Sequence, residues 1–169
     1  NGAGPYVVAE ADESDGSFLK FYPHLAVVTN IEDDHLDHYG TEENIYQAFK
    51  QFLGNITEGG KAILCADNPK VCRLARETDK NVLTYGIEGE AADFIAKNIT
   101  YGVNGTTYEL YYHNELLTQV HWIVPGRHNV LNSMGAFVAA REMGIPVDKI
   151  LASLKQFGGA KRRFETKGK

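Results

Sequence analysis

The chain has 169 residues, 43% of them hydrophobic and 23% charged, enough for one globular domain that buries its own core without disulfide staples. A net charge of −5 offers no basic face to nucleic acid, and no apolar run approaches the roughly 20 residues of a membrane span. Cys65 and Cys72 are spaced neither as a metal pair nor as a redox Cys-x-x-Cys. They read as small, buried or half-buried thiols in a reducing cytoplasm. The chain opens on Asn1 without a secretory leader and is apolar by Tyr6, so a piece of a longer protein is expected.

Taken in order, Tyr6-Val7-Val8-Ala9 and Leu25-Ala26-Val27-Val28-Thr29 are short, β-branched and free of polar alternation. Strands buried on both faces of a parallel sheet read this way. Between residues 41 and 56, Thr41 is a candidate N-cap, and Ile45, Ala48, Phe49, Phe52, Leu53 and Ile56 form one helical stripe. A strand follows over residues 61–66. Asn68-Pro69 then opens a helix carrying Val71, Cys72, Leu74 and Ala75, with Pro in the first turn. The next strand spans residues 81–85. Strand, helix, strand, helix implies right-handed crossovers and an α/β core.

The period then changes to two. Phe94, Ile99 and Tyr101, then Tyr108, Leu110 and Tyr112, then Leu116, Val120 and Trp122 predict a small antiparallel β insertion or flap over about residues 92–124. Hairpin turns are expected at Asn104-Gly105 and Asn114-Glu115. Val130, Met134, Phe137 and Val138 restore a helical stripe, Gly144 stops it, and Pro146 opens a last helix with Ile150, Leu151, Leu154 and Phe157. The expected fold class is α/β, a partial, mostly parallel sheet flanked by helices with the antiparallel insertion at one end.

Residues 1–50 hold ten acids and two bases, and eight of those acids lie between Glu10 and Asp37. They follow two apolar strands, and ligands bind beyond the carboxyl ends of such strands. Hard oxygen donors there suit Mg²⁺, with phosphates and water completing its shell. An acidic solvated rim is the other reading, and His35 would ordinarily suggest a softer metal. Asn129 and Asn132 share a helix face, and an Asn amide both donates to and accepts from the N7/N6 edge of adenine. Alternatively Asn129 is only an N-cap. Lys161-Arg162-Arg163 is a solvated terminus or, folded back, a phosphate clamp. His113 and His121 receive no role.

Together these segments resemble the Mur ligases, ATP-dependent amino-acid ligases of peptidoglycan precursor synthesis. The carrying stretches are Val8-Ala9-Glu10-Ala11-Asp12-Glu13-Ser14-Asp15-Gly16-Ser17-Phe18, Val28-Thr29-Asn30-Ile31-Glu32-Asp33-Asp34-His35-Leu36-Asp37, Pro125-Gly126-Arg127-His128-Asn129-Val130-Leu131-Asn132 and Arg162-Arg163-Phe164, in the family's order. The first run is similar to the L-alanine-adding branch, whose substrates are UDP-N-acetylmuramate and L-alanine. A murein tripeptide-recycling branch and folylpolyglutamate-type relatives stay open, as does a non-catalytic nucleotide- or metal-binding module.

The resemblance implies ATP and Mg²⁺ as cofactors, and roles by position. Glu10 matches the glutamate for the Mg²⁺ that bridges the β- and γ-phosphates, and His35 the ligand of a second Mg²⁺. His128, Asn129 and Asn132 match the adenosine-binding group, and Arg163 the arginine on the ATP phosphates. A substrate carboxylate would attack the γ-phosphate to give an acyl phosphate, which the amine of the amino acid then displaces. No Gly-x-x-x-x-Gly-Lys-Ser/Thr loop occurs in the 169 residues. The resemblance therefore makes residues 1–169 a partial central ATP-binding domain, without that phosphate loop, the UDP-binding domain or the C-terminal domain. Alone it is expected to be inactive in ligation and to expose sheet edges suited to self-association.

Overall fold

The computed structural model describes residues 4–87, 91–103 and 105–158. Six strands form one sheet in sequence order: β1 (Leu25–Val28), β2 (Lys61–Cys65), β3 (Asn81–Gly86), β4 (Phe94–Gly102), β5 (Gly105–Tyr112) and β6 (Glu115–Trp122). The first four run parallel and the last three antiparallel. The helices are a single turn, α1 (Leu36–Tyr39), then α2 (Glu42–Gly54), α3 (Pro69–Glu77), α4 (Arg127–Glu142) and α5 (Val147–Gln156). A 3₁₀ turn, Ser17–Lys20, precedes β1.

The helix starts follow local chemistry. Thr41 accepts the Asn44 N–H at 3.2 Å, and Asn68 accepts the Val71 N–H at 3.0 Å with Pro69 next to it. Each satisfies a donor that the first helical turn leaves over. The apolar stripe of α2 packs with Ala26, Val28 and Leu64 on one face of the sheet. The stripe of α4, joined by Ile150 and Leu154 of α5, packs with Ile63, Tyr85, Phe94, Tyr108 and Leu110 on the other. Strand β2 thus feeds both cores, and Ala62, Ile63, Leu64 and Cys65 are all buried. Both cysteines are free thiols.

Arg73 of α3 bonds Glu43 across to α2 and Glu77 within its own helix. Arg73 and then Lys50 hold the Glu77 carboxyl down at about 2, so this tie is fully charged at neutral pH.

Two expectations need correction and one is resolved. Residues 6–9 are not a strand. Val7 and Val8 are 94% and 97% exposed, and the segment joins no ladder among the described residues. Apolar β-branched sequence becomes a strand only where a neighbour supplies its hydrogen bonds. Secondly, residues 92–124 form the expected antiparallel insertion, continuous with the parallel sheet rather than a flap. Tyr85 pairs with Phe94 and Gly86 with Ile95, so β4 begins where β3 ends and carries the same sheet beyond the carboxyl ends of β1–β3. Asp93 secures the join by accepting the Thr84 N–H and hydroxyl at 2.7 and 2.8 Å. Thirdly, the second hairpin turns on His113 and Asn114, at φ 48° and 68°, one residue earlier than expected. Both central residues of that turn type need positive φ. Of the first expected turn, Asn104 lies outside the described residues.

Candidate functional site

A cavity of about 800 Å³ lies between α4, α5 and the end of β6. His128, Asn129, Asn132 and Ser133 line it from α4, Trp122 and Val124 from the end of β6, and Ile150, Leu154 and Phe157 from α5 and its end. An apolar chamber with a few polar groups on one wall is the usual form of a small-molecule site. Its floor is fixed. The Trp122 indole N–H donates to the Phe157 carbonyl at 3.1 Å, and the two rings stack with centroids 6.1 Å apart. Ser133 donates to the Val130 carbonyl and meets the buried Tyr108 hydroxyl at 2.8 Å. Burial raises the Tyr108 pKa, so that phenol stays neutral.

The N-cap of α4 is Gly126, at φ 109° and ψ 143°, a conformation open essentially only to glycine. Asn129 is therefore not the cap. Its side-chain amide donates to the Pro125 carbonyl at 2.6 Å, folding it back over the helix entry. That bond uses one of the two amide N–H groups, so Asn129 offers a ligand its amide oxygen as an acceptor beside the second N–H. Asn132 follows one turn later on the same wall.

A second, polar cleft of about 190 Å³ lies at the carboxyl end of β1. Glu13, Thr29, Asn30, Glu32, Asp34 and His35 line it, with Val27, Val28 and Ala11 behind. His35 takes a left-handed conformation, φ 61°, as the N-cap of α1, and its Nε2 lies 3.7 Å from Glu13. Several neighbouring acids have structural duties. Asp12 accepts the Ser14 N–H and Asp15 the Ser17 N–H, both at 2.8 Å. The Ser14 N–H lowers the Asp12 pKa, and the Ser17 side chain, then its N–H, lowers that of Asp15. Asp33 pairs with Lys70, and Glu32 accepts the Asn30 amide. Among the described residues, no lysine or arginine pairs with Glu10, Glu13 or Asp34.

Of the residues expected from sequence, His128, Asn129 and Asn132 thus share one cavity wall. His35 sits in the acidic cleft. Glu10 is exposed in the extended segment beside Ala11 and is not among the cleft's lining residues; the acid nearest His35 is Glu13. Among the described residues no three His, Cys, Asp or Glu side chains are grouped closely enough to hold a metal ion by themselves. Arg163 lies outside the described residues. Trp122, Ser133 and Phe157 were not singled out as site residues, although the alternation of β6 and the stripe of α5 had marked Trp122 and Phe157 as inward-facing.

Comparison with known proteins bears on the family and the fold. The model of the Mur ligase middle domain matches residues 4–140. The UDP-N-acetylmuramate–L-alanine ligase of Desulforamulus reducens is 46% identical over 168 residues, 99% of this chain and 36% of that protein. The ligase of the same name from Pelotomaculum thermopropionicum is 44% identical over 167 residues, again 99% and 36%. The chain therefore spans about a third of the length of these curated relatives. Among solved structures, the UDP-N-acetylmuramate–alanine ligase MurC of Thermotoga maritima superposes with a TM-score of 0.78 at 24% identity, over 91% of this chain and 34% of that one. The UDP-N-acetylmuramate:L-alanyl-γ-D-glutamyl-meso-diaminopimelate ligase of Neisseria meningitides gives 0.77 at 22%, over 90% and 48%. These two likenesses establish the fold.

Proposed function

We propose that this chain, which belongs to the Mur ligase family and matches its middle domain, is the ATP-binding part of an enzyme that joins L-alanine to UDP-N-acetylmuramate. The observation that carries this reading is the gathering of His128, Asn129 and Asn132 on one wall of the 800 Å³ cavity. Three residues singled out by motif alone share a chamber large and apolar enough for a purine. The names of the relatives at 41–46% identity over nearly the whole chain support the choice of substrates.

In this reading the adenine enters between Trp122 and α4, with its amino edge toward the Asn129 amide oxygen. The triphosphate runs toward the carboxyl end of β1. There the residues fit a magnesium ion, though not alone. Mg²⁺ takes one or two carboxylates and completes its shell with phosphate and water, and the cleft-lining Glu13, Asp34 and His35 offer hard oxygens and one imidazole that no described lysine or arginine neutralises. Bound there, the ion would offset the charge of the triphosphate as an anionic carboxylate approaches it. Glu10 and His35 are the residues assigned to hold it, and Arg163 is assigned to the phosphates. The carboxylate of UDP-N-acetylmuramate attacks the γ-phosphorus, ADP leaves, and the amine of L-alanine displaces phosphate from the acyl phosphate.

Residues 1–169 are proposed to form a partial central domain of that enzyme, working in the cytoplasm. No helix among the described residues is long and apolar enough to cross a membrane. The free edge of β1 is the assigned place for any self-association.

Calorimetric titration tests the metal assignment. Glu10→Ala and His35→Ala should each weaken Mg-ATP by about tenfold, the effect of losing one charge-assisted contact of roughly 1.4 kcal/mol, and should leave adenosine binding unchanged. Equal Mg-ATP affinity in wild type and both variants would remove the assignment.

A further inference from the structure

We infer that Asp67 is a positioning residue for the nucleotide, acting through Arg127. This rests on the nucleotide reading above and extends it to a residue that touches neither cavity. Asp67 lies two residues beyond β2, and its side chain is only 4% exposed. One carboxylate oxygen accepts the Ile87 N–H at 2.9 Å. The other accepts Arg127 Nη2 at 2.7 Å. The seat is shaped for it. A Cβ placed on Gly86 would lie 2.3 Å from that first oxygen, so the carboxylate occupies the space a side chain there would fill.

Arg127 is the first residue of α4, followed by His128 and Asn129. Its pairing with Asp67 therefore ties the start of the helix to the carboxyl end of the parallel sheet, one strand away from the polar cleft beyond β1. Gly126 allows the chain to turn into the helix, and the Asn129–Pro125 hydrogen bond closes that turn. The apolar stripe of α4 seats the body of the helix on the sheet. The Asp67–Arg127 ion pair ties its first residue to the sheet, and so helps to set the place of His128 and Asn129 in the cavity wall relative to the polar cleft. A charge pair with one buried partner is geometrically demanding, which makes it a good strut.

The test uses Asp67→Asn and Arg127→Gln in this chain. Asn keeps an acceptor for Ile87 but turns a donor toward Arg127. Gln at the half-exposed position 127 removes the charge without burying a new group. Two quantities are read: hydrogen exchange of the Asn129 and Val130 amides without ligand, and the affinities for adenosine and Mg-ATP from Trp122 emission. Trp122 is the chain's single tryptophan and lines the cavity.

The strut predicts faster exchange at both amides in either variant, with the double variant no faster than the quicker single one. Adenosine and Mg-ATP should weaken alike, by about 3- to 30-fold. Unchanged exchange would overturn the proposal. So would a loss confined to Mg-ATP, which would make Arg127 a direct phosphate contact. If exchange quickens but wild type takes neither ligand, the nucleotide reading fails and the positioning role falls with it, leaving only a structural tie.

Discussion

Gly105→Ala should destabilise the fold by about 3–5 kcal/mol, a large share of the 5–15 kcal/mol that holds a domain together. Gly105 opens β5 at φ 118°, a backbone that L side chains rarely adopt. An added Cβ would lie 2.3 Å from the Trp122 carbonyl oxygen and 2.7 Å from Ile123 Cα. Both obstacles are backbone, so relief requires β6 to move away from β5 at the Thr106–Trp122 pair. That motion would carry Trp122 out of the cavity floor. Gly102→Ala is the control, because its Cβ meets only the Gly105 carbonyl oxygen at 3.7 Å and its φ is ordinary. Urea unfolding followed by Trp122 emission should show a much lower midpoint for Gly105→Ala and a change of at most about 1 kcal/mol for Gly102→Ala. Equal midpoints for the two variants would refute the packing argument.

The second large effect is purine discrimination. One Asn129 N–H is held by the Pro125 carbonyl, and in the proposed pose the amide oxygen is the group that faces the base. Adenine offers an amino group there, whereas guanine and hypoxanthine offer a carbonyl oxygen, which repels it. A correctly matched polar edge is worth about 1–3 kcal/mol. ATP should therefore bind about 10- to 100-fold more tightly than GTP or ITP. Asn129→Ala should lower ATP affinity and flatten the preference, since it removes the acceptor without adding a competing group. A preference for ATP that survives in Asn129→Ala would assign discrimination to another residue, and Asn132 is next on that wall.

Much of the architecture was legible because its causes are local. Thr41 and Asn68 cap helices by bonds three residues away, and the stripes of α2 and α4 face the sheet as their spacing requires. Residues 6–9 misled for the opposite reason, since strand formation depends on a partner that the segment's own composition cannot supply. The site divides in the same way. Asn129 and Asn132 are three apart on one helix, so their shared wall could be read directly, whereas His128 entered only through the family resemblance. Trp122 and Phe157 meet only because α5 folds back against β6, a tertiary event with no local signature. In the acidic run, composition offered eight carboxylates without ranking them. Turn geometry ranks them: Asp12 and Asp15 cap their own loop, Asp33 is taken by Lys70, and the left-handed His35 meets Glu13.

The purine position can be located by covalent labelling. With 8-azido-ATP and magnesium, irradiation followed by peptide mapping should place the adducts in residues 122–133 and 150–157, and unlabelled ATP should suppress them. Adducts confined to residues 11–35, or adducts that ATP does not suppress, would contradict an adenine site between Trp122 and α4.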